Sequence, residues 1–192
     1  MDFDNDGRRD LFVAQGHVLD TVSRARQGFD YLQPPLMLRN EGGSFSDVSA
    51  SLGPAFARPA AGRGAAFADL DDDGDVDIVI ANLDGPPTIL RNDGGNANHW
   101  LTVSLRGTRS NRQGIGAIVS VVDEHGLTQS GICSTTSSYQ SASDGRVHFG
   151  LAGAKTVQRV EVRWPSGAVQ VLEQIAADRI LEIVEPAPKV RQ

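Results

Sequence analysis

Two stretches of carboxylates set the chemistry open to this chain. Asp69, Asp71, Asp73, Gly74 and Asp77 stand at alternating places ahead of the apolar run Ile78-Val79-Ile80, and Asp2, Asp4, Asp6, Gly7 and Asp10 repeat the pattern ahead of Leu11-Phe12-Val13. Calcium is the cation that suits such loops, because it takes about six to eight oxygens at long, forgiving distances. In the second loop Asp69, Asp71 and Asp73 converge on the ion, Gly74 permits the sharp turn, Asp75 adds its main-chain carbonyl and Asp77 closes the cage. In the first loop Asp2, Asp4, Asp6 and Asp10 take the same places, with Arg8 supplying the carbonyl. An EF-hand would need Glu at the twelfth loop position, where the chain has Val13 and Ile80, so neither loop is one. An Asp at the ninth place suits a loop that runs into a strand. The alternative is a pair of solvated Asp- and Gly-rich turns. Two matched copies, each feeding a strand, favour calcium.

The elements that hold these loops repeat as well. Each loop and strand is followed by a Pro-Pro pair and a second apolar strand that ends in a polar turn: Pro34-Pro35-Leu36 to Gly43, then Pro86-Pro87-Thr88 to Gly95. The first copy carries an insertion from Gly16 to about Gln33. Strands and turns at this repeat length read as β-propeller blades, of which a ring needs roughly four to eight. Only the second loop has a strand-like run ahead of it, Gly62 to Ala68, so the expectation is the C-terminal part of a longer protein whose N-terminal blades are missing here. A secretion signal would have gone with them.

Charge and composition narrow the function classes. The net charge of −6 lies in the loops: residues 2–10 carry four Asp against two Arg and residues 69–77 carry six Asp, leaving the remainder slightly positive. Arg24, Arg26, Arg106, Arg109 and Arg112 are scattered, so no nucleic-acid partner is expected. No apolar run is long enough for a membrane span. One cysteine, Cys133, excludes an intrachain disulfide and reads as a packed strand residue.

A turn at Gly94 to Asn98 divides the chain into residues 1–97 and 98–185, with a tail at 186–192. Beyond the turn, alternation predicts seven strands: Trp100 to Leu105, Ile118 to Val122, Gln129 to Thr135, Val147 to Leu151, Val157 to Trp164, Val169 to Leu172 and Arg179 to Val184. Val160, Val162 and Trp164 point one way and Arg159, Glu161 and Arg163 the other. The fold class is all-β: partial propeller followed by an antiparallel β-sandwich.

Arg63-Gly64-Ala65-Ala66-Phe67 through Asp77, Asn98-His99-Trp100-Leu101, Gly107-Thr108-Arg109-Ser110-Asn111-Arg112, Ile115-Gly116-Ala117, His148-Phe149-Gly150-Leu151 and Val160 to Gly167 resemble the C-terminal region of ASPIC/UnbV proteins with FG-GAP or VCBS-type repeats, the cartilage acidic protein family among them. The resemblance covers nearly the whole chain. It implies a calcium-loaded module located outside the cell, in the periplasm or at the cell surface, associated with adhesion or matrix-like binding, and no reaction. Relatives encoded in enediyne biosynthetic clusters imply the alternative of a biosynthetic accessory protein or enzyme with its site at the domain junction. Arg8 and Arg9 depart from the family's polar or acidic residues and should make the first loop the weaker site.

No catalytic constellation stands out: the sequence has no GxSxG elbow, HExxH, phosphate-cradling Gly loop or Cys pair. His99 and His148 read as structural groups and His125 as a turn residue. His17, with Asp20, Arg24 and Tyr31 nearby in sequence, would be the one to line a ligand site. The serines and threonines from Ser134 to Asp144 either meet a sugar or form a polar loop between strands. The expected role is a non-catalytic calcium scaffold for a protein or glycan partner.

Overall fold

Alternating side chains and Asp/Gly turns dictate where the strands fall. The computed structural model describes residues 1–25 and 28–187. After the first acidic loop, β1 (Leu11–Val13) leads through the insertion, which holds the one-turn helix α1 (Val22–Ala25), to β2 (Leu36–Asn40) and β3 (Phe45–Asp47), paired antiparallel in that order. The second copy is β4 (Gly62–Ala68), the second acidic loop, β5 (Asp77–Asn82) and β6 (Thr88–Leu90). The repeat keeps its register, since Leu11 faces Leu38 as Ile78 faces Leu90. Met37, Ala65, Ile78, Ile80 and Leu90 form the core between the two sheets, and Phe12 lies edge-on to both Phe56 and Phe67.

A short turn at Gly95–Ala97 leads into β7 (His99–Arg106). From there β8 (Ile118–Asp123), β9 (Thr128–Ile132), β13 (Thr156–Arg163) and β14 (Val169–Ala176) build one antiparallel sheet in the order β14-β13-β8-β9. Facing it are β12 (Val147–Ala152), β7 and β15 (Arg179–Val184). Leu101, Val103, Val119, Val121, Phe149, Val160 and Val162 from both sheets meet in one core. Each such side chain contributes about 1.5–3 kcal/mol on burial, so a one-residue slip of β13, which would turn Val160 and Val162 out and Arg159 and Arg163 in, is strongly opposed. One pairing departs from the all-antiparallel expectation: β15 lies parallel to β7, Arg179 opposite Leu101 through Val184 opposite Arg106. Alternation tells which face of β15 is apolar but not which neighbour it meets after crossing from the other sheet. None of the described sheets closes into a barrel.

The serine-rich stretch is neither a plain loop nor a free hydroxyl array. It forms a small hairpin, β10 (Thr136–Ser138) and β11 (Ser141–Ala142), laid against β4. The Ala65 and Phe67 N–H groups donate to Ser138 and Ser143 Oγ, and the Asp144 N–H donates to the Phe67 carbonyl at 2.9 Å. The hydroxyls thus cover an otherwise open strand edge.

Of the tail expected at 186–192, residues 188–192 lie outside the described residues, as does Arg26. Just ahead of that tail the chain buries Glu185, at 1% exposure. Its carboxylate accepts the N–H groups of Thr108, Arg109 and Ser110 at 2.7–2.9 Å and the hydroxyls of Ser110 and Ser166. Burial pushes its pKa up, but these donors outweigh burial and hold it well below the ordinary 4.5. A depressed carboxyl stabilises the fold above its unfolded pKa and loses that effect as pH falls. Glu185→Gln therefore lowers the denaturation midpoint at pH 7, and the difference from the parent narrows below about pH 4.5; chemical denaturation across pH 3–8 reads this directly.

Candidate metal centre

The two acidic loops share one backbone conformation. Positive φ occurs at the fourth and sixth places of both, Asn5 (54°) and Gly7 (87°) in the first, Asp72 (59°) and Gly74 (96°) in the second. At the sixth place glycine is the residue that takes this conformation without strain. Asp2 accepts the N–H groups of Asp6 and Gly7 at 3.2 and 2.9 Å, and Asp69 those of Asp73 and Gly74 at 3.1 and 3.0 Å. The fifth-place Asp accepts the N–H two residues on, Arg8 by Asp6 and Asp75 by Asp73. At the ninth place, Asp10 accepts the Phe3 and Asn40 N–H groups, and Asp77 those of Leu70 and Asn92. The ninth-place Asp thus ties the loop to the end of the neighbouring strand.

Side chains differ between the copies. In the second loop Asp69, Asp71 and Asp73 bring oxygens within 4.8 Å of one another, whereas in the first the converging set is Asp2, Asp4 and Asp10. Arg8 accounts for the difference at Asp6, whose Oδ2 accepts from Arg8 Nη1 at 2.9 Å. Arg8, expected to supply its main-chain carbonyl, thus also pairs its guanidinium with Asp6. Asp77 is engaged by backbone N–H groups and lies outside the second trio. Asp75, expected to contribute a main-chain oxygen, is fully buried by its side chain, and neither carboxylate oxygen has a hydrogen-bond partner. The Gly95 and Asn96 N–H groups face that carboxylate without reaching hydrogen-bond geometry.

Electrostatics follow from this crowding. Burial, then the neighbouring Asp6, Asp10 and Asp4, raises Asp2 to about 7 despite the Gly7 N–H. Burial and Asp73 raise Asp75 to about 6. Asp4, Asp10 and Asp69 are also raised, chiefly by burial. Carboxylates packed in this way lack positive charge, and Asp4 Oδ1 and both Asp75 oxygens are buried with no donor. An all-oxygen set of this kind fits a hard divalent cation. Partial relief comes from Arg39, 3.3 Å from Asp4, and from Arg91, 3.6 Å from Asp71 at the matching place of the second copy.

Residues far apart in the sequence join the loops to the rest of the molecule. Asn5 Nδ2 donates to the Gly74 carbonyl at 3.0 Å, Asn92 Nδ2 to that of Phe3 at 2.7 Å, and Asn98 Nδ2 to that of Asp4 at 2.8 Å. Asn5 Oδ1 in turn sits 2.6 Å from His148 Nε2, whose Nδ1 lies 2.8 Å from Thr102 Oγ1. An amide oxygen only accepts, so Nε2 carries the proton and Nδ1 accepts from the threonine. Burial first, then Arg146 and the amino terminus, lowers His148 to about 4 and keeps it neutral. Trp100 stacks on His148 and lies so close over Gly74 that a Cβ there would come within 2.0 Å of the indole. Arg146 reaches from β12's approach to Asp72 Oδ1 at 2.7 Å and the Asp69 carbonyl at 2.9 Å.

Other candidates resolve into structural roles. The Leu19 N–H donates to His17 Nδ1 at 3.0 Å, and no hydrogen bond among the described residues joins that ring to Asp20, Arg24 or Tyr31. Tyr31 instead lies under the Arg63 guanidinium. His99 pairs with Asp178, and His125 sits in the β8–β9 turn. Cys133 is buried just past β9, where burial raises its thiol pKa.

Comparison with known proteins agrees with this architecture. The FG-GAP-like repeat family matches residues 2–80, and the family described as ASPIC and UnbV matches residues 107–190. Cartilage acidic protein 1 of Mus musculus is 28% identical over 191 residues, which cover 96% of this chain and 28% of that protein. Its Homo sapiens counterpart is also 28% identical, over 96% of this chain and 27% of its own length. The chain spans less than a third of these relatives. The acidic repeats and the β-sandwich lie in the order of these two matches, and the chain is similar to ASPIC/UnbV-domain proteins with FG-GAP-like repeats.

Proposed function

We propose that this protein is a calcium-binding, non-catalytic scaffold or adhesion-type module that works outside the cell, in the periplasm or at the cell surface, and presents its β-sheets to a protein or glycan partner. One observation carries the metal reading: two loops of the same backbone conformation each gather three carboxylates within 4.8 Å. Asp69, Asp71 and Asp73 would hold one ion, Asp2, Asp4 and Asp10 the other. Asp6, Asp77 and the main-chain oxygens of Arg8 and Asp75 complete the candidate ligands. The loops of the first repeat and the second are bonded to each other and to β12, so an ion in either stiffens the contact between the repeats and the sandwich. No helix among the described residues is long and apolar enough to cross a membrane.

A second reading, a biosynthetic accessory protein or enzyme with a site at the domain junction, has one observation in its favour. A cleft of about 910 Å³ lies there, with Arg9, Arg146 and His148 on its walls. Against it, His148 is hydrogen-bonded on both nitrogens, and Arg146 is held by Asp144, Asp72 and the Asp69 carbonyl. Neither group is free to move a proton or grip a substrate.

Calorimetric titration with calcium is expected to show two sites, the second loop the tighter. At 100-fold excess over Kd each adds about 2.7 kcal/mol of stability. Asp73→Asn keeps the hydrogen-bond acceptor for the Asp75 N–H but removes charge, so it lowers the melting temperature in calcium by about one site's worth and leaves it unchanged or higher in chelator. Equal shifts in both conditions would refute the metal role.

The pH dependence gives an independent check. Carboxyls raised in the folded state bind more protons there than when unfolded, so metal-free stability from Asp2 and Asp75 falls as pH rises from about 4 to about 7. His148, lowered to about 4, contributes with the opposite sign between its folded value and the ordinary 6.5, with or without calcium. Calcium requires ionised carboxylates. The gain in melting temperature that it brings therefore grows from about pH 5 to about pH 7 and then levels off, whereas a gain independent of pH would place the ion elsewhere.

A further inference from the structure

One edge strand of the sandwich lacks most of the devices that keep such edges from pairing. β14 ends its antiparallel sheet, paired by β13 on one side and by no described strand on the other. A free edge is ordinarily protected by charge, proline, a bulge or a short strand. β14 runs for eight residues, Val169–Ala176, with Glu173 its single charge and no proline. β15, the free edge of the facing sheet, carries both Arg179 and Glu182 in six residues. The outer edge of β4 lies under the serine-rich hairpin.

The phase of the backbone fixes which groups face the opening. Across the β13–β14 hairpin the Trp164 N–H donates to the Ala168 carbonyl at 2.9 Å. Bonding sides alternate along an antiparallel strand, so Gln170 and Leu172 turn toward their partners Val162 and Val160. Val169, Val171 and Glu173 therefore turn their N–H and C=O groups to the free edge. Their side chains stand on the outer face of the sheet, Val169 57% and Val171 43% exposed. On the inner face Leu172 and Ile175 pack against the core yet stay only partly buried. Gln174 leaves the β region at φ 55°, so the regular edge is the stretch 169–173, with Val171 at its middle.

We propose that β14 is a self-association edge, at which two copies of the chain pair antiparallel about a two-fold axis through Val171 and join their four-stranded sheets into one. This pairing sets Val171 against Val171 of the other copy and Val169 against its Glu173, so each outward residue both donates and accepts. No like charges meet across the ladder. Beyond Val169 in the same row stands Arg163 of β13, so Glu173 of the other copy approaches a row that ends in opposite charge. The neighbouring registers each lose a pair, to the hairpin at Gly167 on one side and to the left-handed Gln174 on the other. A strand of an unrelated protein would meet the same backbone groups without this symmetric match of side chains. The ladder is short, which places the contact among transient interfaces below about 1,200 Å². The inference does not depend on the calcium reading.

Sedimentation equilibrium of the intact chain in calcium, from about 1 μM to about 1 mM, tests this, with hydrogen exchange followed over the same range. A reversible dimer is expected, with Kd of about 10–100 μM. At the highest concentration exchange should slow by about fivefold or more at the Val169, Val171 and Glu173 amides, while Gln170 and Leu172 are protected throughout. Val171→Pro removes an N–H that the single chain does not use in its ladder, so it should abolish the dimer and leave the melting temperature of the dilute chain unchanged. Val171→Lys sets two ammonium groups face to face at the axis and should do the same; it decides the matter if the proline variant fails to fold. A chain that stays monomeric up to about 1 mM overturns the proposal and leaves the edge to a different polypeptide. So does a dimer whose slowed amides lie elsewhere, or a lysine variant that dimerises as well as the parent.

Discussion

Repulsion among like charges is the constraint on which this structure turns. Each acidic loop folds three carboxylates to within 4.8 Å, several of them buried, and burial removes the water that would otherwise screen them. The fold meets this cost with fixed dipoles first. Asp2, Asp69, Asp10 and Asp77 each accept two backbone N–H groups, in the same positions in both copies. Arginines follow, with Arg39 and Arg91 at matching places and Arg146 arriving from the second domain. What remains unmet is concentrated at Asp4 and Asp75, and a divalent cation is the counter-charge that would meet it.

The same loops are also the mechanical joint of the molecule. Asn5 spans the two repeats through the Gly74 carbonyl and reaches the sandwich through His148, while Trp100 closes over Gly74. The glycine that the loop needs for its turn is thus also the gap into which the indole fits. Because the clustered carboxylates and the joint share backbone, charge in the loops and contact between the domains are one energetic problem. The serine-rich hairpin adds a second contact by capping β4, so the sandwich supports the second repeat at both its loop and its edge.

Much of the architecture was legible in the residues taken alone. The DxDxDG spacing located both loops, the Pro-Pro offset aligned the repeats, and alternation such as Val160, Val162, Trp164 against Arg159 and Arg163 placed the sandwich strands to within a few residues. These signals are local, since period-two burial and turn chemistry act over a few neighbours. The serine-rich segment was harder to read, because Ser138 and Ser143 acquire a role only once β4 lies beside them. Glu185 was missed for the same reason. An acid beside a Pro-rich tail looks like surface until Thr108, Arg109 and Ser110 turn their N–H groups onto it.

By itself the sequence determined the all-β class, the repeat and the oxygen-rich chemistry of the loops, because residue type and spacing suffice for these. Tertiary structure alone decided which carboxylates converge: Arg8 draws Asp6 away in the first loop, and Asp73 stays with its trio in the second. It also decided that β15 runs parallel to β7, and that His148, 143 residues from Asn5 along the chain, is held neutral against the loops. Such pairings depend on the closure of long loops and on burial. Neither leaves a mark in the spacing of adjacent residues.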